Sequence, residues 1–100
     1  MTVERAAFHP EAEDELRAAV LWYGEKSLRA ASEFIAELDN ALGKIQESPG
    51  RWRQVLGPWR RYVIQRFPFL IIYREAAQGI EVVAVAHGRR RPGYWRSRVR

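Results

Sequence analysis

The sequence contains no cysteine, which excludes disulfide staples and thiolate-ligated metal centres. Its two histidines, His9 and His87, are too few for a histidine-based zinc site, so no metal or other cofactor is expected. No apolar run approaches the ~20 residues of a membrane span, and the N-terminal MTVERAAFHP lacks the apolar core of a signal peptide. The expectation is a cytoplasmic protein. Lysine is absent beyond Lys44, and acidic residues beyond Glu47 are limited to Glu75 and Glu81.

That last shortage exposes a division of charge. Residues 1–50 carry five Lys/Arg against ten Asp/Glu, a net −5; residues 51–100 carry twelve arginines against two glutamates, a net +10. Arginine grips phosphate or carboxylate in a fixed fork, which lysine does not. A regional, purely arginine surplus therefore points to an anionic partner: nucleic acid, a nucleic-acid machine or an acidic protein. The 47% hydrophobic content over 100 residues is enough for one modest core. We expect a single domain over residues 1–100, with a basic tail from 88 to 100.

Residues 2–9 read as a short strand at a sheet edge or beside a later strand. Proline at position 10 and acids at 11, 13, 14 and 15 mark a helix start, the carboxylates complementing the helix dipole on a solvated face. Ala12, Leu16, Ala19, Val20 and Tyr23 form one apolar stripe of a helix over 11–25. Leu21 lies nearly opposite that stripe and Trp22 flanks it, which suggests a second contact with a partner. Ser27 is a good N-cap for a helix over 28–48, whose stripe is Ala31, Phe34, Ile35, Leu38, Ala41, Leu42 and Ile45. Pro49-Gly50 stops it, and the short link makes the two helices an antiparallel hairpin.

Residues 51–59 (RWRQVLGPW) read as a connector whose Trp52 and Trp59 could stack on bases, although anchoring a loop onto the core is the commoner fate of tryptophan. Then come three β-branched and aromatic runs, 62–64, 69–73 and 80–86, joined by short turns into an antiparallel meander. In the last run the alternation puts Ile80, Val82, Ala84 and Ala86 on one face and Val83, Val85 and His87 on the other. Both faces of the central strands are apolar, as in a sheet covered on both sides. One helical hairpin covers one face. The other must be shielded by the tail, which is long enough for only part of it, or by a second chain.

The tail HGRRRPGYWRSRVR interleaves six arginines with Tyr94 and Trp95, a pattern suited to gripping phosphate and stacking bases. RNA cleavage through the 2′-hydroxyl would need a base, an acid and a cation. Histidine is the side chain suited to proton transfer near neutral pH, so His87 is the candidate, with a tail arginine as cation and Tyr94 as proton donor. A histidine at a strand end is also commonly just hydrogen-bonded to a loop.

The order strand, helical hairpin ending at Pro49, RRYVIQRFPFLIIY and then IEVVAVAHGRRRPGYW resembles the RelE/ParE superfamily of bacterial toxins, over essentially the whole chain. The resemblance implies an α+β fold of the microbial-RNase type, with the helical hairpin on a small antiparallel sheet. It further implies a toxin of a type II toxin–antitoxin (plasmid stabilisation) module, neutralised by a cognate acidic antitoxin that wraps it. RelE-like members cut mRNA on the ribosome, whereas ParE-like members inhibit DNA gyrase without cutting nucleic acid. The nuclease branch usually carries an arginine three residues before the strand tyrosine; here Leu70 precedes Tyr73. The Phe67-Pro68-Phe69 turn and the HGRRRPGYW ending look more like ParE, which favours gyrase as target over ribosome-dependent cleavage; a small basic nucleic-acid-binding module is a further alternative. On this reading Arg61, Arg66, Arg89, Arg90, Arg91, Tyr94 and Trp95 face the target, and Leu21, Trp22, Leu70 and Ile72 face the antitoxin. His87, Arg89 and Tyr94 would be catalytic only in a nuclease.

Overall fold

The first helix begins where His9 and Pro10 make an extended backbone turn inward. The His9 ring caps it, Nδ1 accepting from the Glu11 N–H at 3.1 Å, and Pro10 occupies a position whose missing N–H costs nothing. In the computed structural model, which describes residues 6–99, this helix is α1 (Pro10–Lys26). Ser27 ends it and caps the next, its Oγ accepting from Ala30 N–H at 2.9 Å, so α2 (Leu28–Glu47) folds straight back against α1.

Five strands complete the chain: β1 (Ala6–Phe8), β2 (Gln54–Leu56), β3 (Trp59–Val63), β4 (Phe69–Ala76) and β5 (Gly79–His87). Their order is β1-β5-β4-β3-β2. β2 to β5 form an antiparallel meander, and β1 lies parallel to β5, pairing Ala6 with Ile80 and Phe8 with Val82. The expected first strand therefore exists from Ala6 onward; its residues 2–5 lie outside the described residues. β2 falls inside the stretch read as a connector, because Gly57, with φ 51°, turns it back onto β3 as a hairpin. No helix among the described residues is long and apolar enough to cross a membrane.

Between hairpin and sheet lies the larger core. Leu42 and Ile45 of α2 meet Ile71 and Tyr73 of β4 and Val82 and Val85 of β5, all essentially without solvent exposure. Each such side chain contributes about 1.5–3 kcal/mol on burial. Tyr73 also donates its hydroxyl to the Pro49 carbonyl at 2.6 Å, tying the middle strand to the end of α2. At the other end Phe34 packs against Phe67 and Phe69, with ring centroids 5.3 Å away in each case, and Tyr23 stacks on Phe34 at 5.2 Å. Ile35 departs from its expected place in the stripe: it is exposed on the outer side of the hairpin.

The face assignment of β5 also changes. Tyr73 pairs with Val82 while Ile72 pairs with Ala84, so Val83 is an extra residue in a β-bulge. Past the bulge the alternation flips. Ile80, Val82 and Val85 thus share the helix side, whereas Val83 and Ala84 join Ile72 and Trp59 on the far side. Trp95 covers them there, with Tyr94 and Val99 beside it. The far face is closed by the tail more fully than its length suggested, and Arg96–Val99 ends it as a turn of 3₁₀ helix.

Candidate functional site

The tail reaches the far face through a run of tight turns. Arg90, Tyr94, Arg96 and Arg98 each donate a backbone N–H to the carbonyl three residues earlier. Gly93 makes the reversal possible: its φ is 79°, and a Cβ there would lie 2.9 Å from Arg96 Nε. The segment stands off the sheet on one side and leaves a groove of about 230 Å³. Leu70, Ile72 and Ala86 form its floor, Tyr94 and Trp95 line it, and Arg61, Arg90, Arg91 and Arg96 bring four guanidinium groups to it.

Of the seven residues expected to face a target, the groove gathers Arg61, Arg90, Arg91, Tyr94 and Trp95. Arg66 is elsewhere. It sits in the β3–β4 turn with φ 73° and pairs with Glu33 and Glu37 of α2 at 3.3 and 3.6 Å. Arg89 is exposed and its side chain does not line the groove. Arg96, not singled out in the sequence, takes a place there. Leu70 points the position discussed for a nuclease arginine into the groove as a methyl-bearing surface.

The proposed catalytic trio is only partly assembled. His87 lines the groove, its Nδ1 accepting the Arg89 backbone N–H at 3.0 Å and its ring edge-on to Phe69. Tyr94 lines it too, but its hydroxyl turns away and donates to Glu15 Oε2 at 2.5 Å. Burial, and then that bond to a carboxylate, push the Tyr94 phenol well above its usual range. A phenol so held is a poor proton donor to a leaving group.

Glu15 is the residue that sequence reasoning placed wrongly. It does not stand on a solvated face with Glu11, Glu13 and Asp14. Its Oε1 accepts from Val85 N–H and Arg98 Nη1, each at 3.0 Å, and its Oε2 from Arg98 Nη2 at 2.9 Å beside the Tyr94 bond. Burial raises the carboxyl, but the bonds from Arg98, Tyr94 and Val85 outweigh it and hold the pKa below its ordinary value. A signal was present: Glu15 lies three residues from Ala12 and four from Ala19, inside the buried stripe, where a carboxylate needs a cation.

The four residues expected to face an antitoxin fall on two sides. Leu21 and Trp22 are 63% and 54% exposed on α1. Leu70 is half-buried on the far face, and Ile72 is 3% exposed, packed under Trp95, so its part is that of groove floor and core rather than open surface. Among the described residues no group of three or more His, Asp and Glu could hold a metal ion.

No curated protein sequence matches the chain. Among solved structures, the chromosomal ParDE toxin–antitoxin system from P. aeruginosa superposes with a TM-score of 0.69, covering 82% of this chain and 92% of that one at 16% identity. At that identity the likeness shows the fold: two helices on a five-stranded, mostly antiparallel sheet. The model of the family described as the ParE toxin of the type II toxin–antitoxin system, parDE, matches residues 6–92, and the chain belongs to that family.

Proposed function

We propose that this chain acts by binding and inhibiting DNA gyrase, and that a cognate acidic antitoxin neutralises it. The observation that carries this reading is the groove's chemistry. It concentrates four arginines over an apolar floor containing Leu70, while the one nearby phenol is committed to Glu15. Such a surface suits an acidic, partly apolar protein patch and lacks a matched proton donor and acceptor. Arg61, Arg90, Arg91, Tyr94 and Trp95 form the target surface; Leu21 and Trp22, with Leu70 at the groove, offer the antitoxin apolar anchors on both sides of the sheet. The purified chain should block supercoiling by gyrase and lose that effect when its antitoxin is added; full supercoiling at saturating toxin would refute the reading.

One observation favours a second reading, ribosome-dependent mRNA cleavage: His87 and Tyr94 do line the same groove. That reading predicts cuts in mRNA on programmed ribosomes that His87→Ala abolishes. Salt-dependent binding to free DNA or RNA without either effect would instead mark a simple nucleic-acid-binding module.

A further inference from the structure

β1 covers the outer edge of β5 only as far as Val82, where His9 N–H donates to the Val82 carbonyl at 2.8 Å. Beyond that point β5 would present bare backbone groups, which strand edges must pair or cover. Two side chains do so. Glu15 of α1 accepts from Val85 N–H, and Arg98 of the tail donates to the Val83 carbonyl at 3.0 Å. The two then join through the fork described above, and their side chains are 17% and 7% exposed. A helix and the tail thus meet around the free edge of the sheet.

The same carboxylate reaches the groove through one more step. Its bond to the Tyr94 hydroxyl fixes the plane of that ring, and Arg90 lies on the ring with its guanidinium carbon 3.9 Å from the centroid. Arg98 lies 5.0 Å from the same ring, so the phenol is flanked by two cations. Arg90 in turn lines the groove, which Glu15 does not. We propose that Glu15 is a positioning residue for the arginine groove: acting through Tyr94, it sets the place of Arg90 and holds residues 94–98 closed over the far face of the sheet. This rests on the reading of the groove as the target surface, and its role there is separable from gyrase.

The test uses Glu15→Gln, with Asp14→Asn as control. Asp14 is a highly exposed α1 carboxylate whose partner among the described residues is Arg17, so its change alters net charge equally without touching the tail. Two readouts need no target. In NMR spectra of the free wild-type chain, the Arg90 side-chain protons should be shifted upfield by the Tyr94 ring, and Glu15→Gln should remove that shift. Amide exchange at Val85 and across residues 88–99 should rise at least about tenfold in Glu15→Gln, the factor that loss of ~1.4 kcal/mol gives, while α2 amides stay protected. Asp14→Asn should change neither.

The third readout is the midpoint of gyrase inhibition, expected to weaken about tenfold in Glu15→Gln and in Arg90→Ala, with the double variant no weaker than the worse single one. Additive losses, or an unchanged Arg90 shift and tail exchange in Glu15→Gln, would overturn the proposal. If the wild-type chain leaves gyrase untouched, the functional reading fails while the spectra still decide the role of Glu15. Should Glu15→Gln unfold the chain, seen as exchange throughout α2, Tyr94→Phe decides: it removes one bond and keeps the ring. Faster tail exchange and a reduced Arg90 shift are then expected, and wild-type values would refute the idea.

Discussion

Trp95→Ala tests whether the tail is a structural layer of this protein or an appendage resting on it. Trp95 is 4% exposed and covers Ile72, Val83 and Ala84, with its ring centroid 6.1 Å from that of Trp59. A tryptophan buries roughly 200 Å², worth about 5 kcal/mol at ~25 cal/mol per Å² of apolar surface. Part of that returns, because the site lies under a short terminal segment that can settle and admit water. We therefore expect a loss of about 3 kcal/mol, at the lower end of the ~3–5 kcal/mol seen for removing large aromatic residues from cores. Against a total of roughly 5–15 kcal/mol this is large. The assay is urea denaturation followed by far-ultraviolet circular dichroism, with wild type and variant fitted to a common slope. A loss below about 1 kcal/mol would mean that the far face does not depend on Trp95, and the account of the tail as a second core layer would be wrong.

Tyr73 carries a pH prediction. Burial pushes its phenol up to about 12, so the folded state favours the protonated form. The stability this contributes is fully present below the ordinary tyrosine value near 10 and is lost as pH rises towards 12. Melting temperature should fall over that window, and Tyr73→Phe should show a shallower fall after an initial loss of about 1–2 kcal/mol for the unpaired Pro49 carbonyl. Arg66 sits at φ 73° and makes two exposed ion pairs, each worth about 0–1 kcal/mol. Arg66→Gly should therefore unfold at a higher urea concentration than Arg66→Ala, by roughly 1 kcal/mol, since glycine relieves the left-handed backbone. On the proposed reading, Trp22→Ala, at a half-exposed helix position, should leave gyrase inhibition intact and weaken the antitoxin complex at least about tenfold by calorimetry, the usual loss at an aromatic anchor.

The helical hairpin and the meander were legible because their signals are local. Ser27 caps through its own side chain, Pro49 stops α2, and the spacing of Phe34, Leu38, Ala41, Leu42 and Ile45 repeats at the helical period. What escaped depended on contacts distant in sequence. The bulge at Val83 leaves no mark in an unbroken apolar run, yet it moves Val85 to the opposite face. β2 is three residues long and exists by pairing across Gly57-Pro58. Glu15 meets its partners 70 to 83 residues away, so no local pattern names Arg98. Five of the seven expected target residues converge all the same, because the arginine-rich tail must lie beside β3 once it closes the sheet.

The structure also sorts the arginines of the basic half by role, which the net charge of +10 does not. Arg66 answers Glu33 and Glu37, Arg74 answers Glu81, and Arg98 answers Glu11 and Glu15. Arg66 and Arg98 thus join the basic half to the acidic helices and hold the two halves together. The four groove arginines make no ion pair among the described residues, and Arg90 rests on an aromatic face instead. Guanidinium groups on an apolar floor, with no bridge to break among the described residues, keep their attraction for a carboxylate. The division of charge along the sequence therefore serves two ends. Glutamates of the helices pair with Arg66 and Arg98, which shape the fold, and on the proposed reading the groove arginines, with no acid lining the groove among the described residues, are left for a partner.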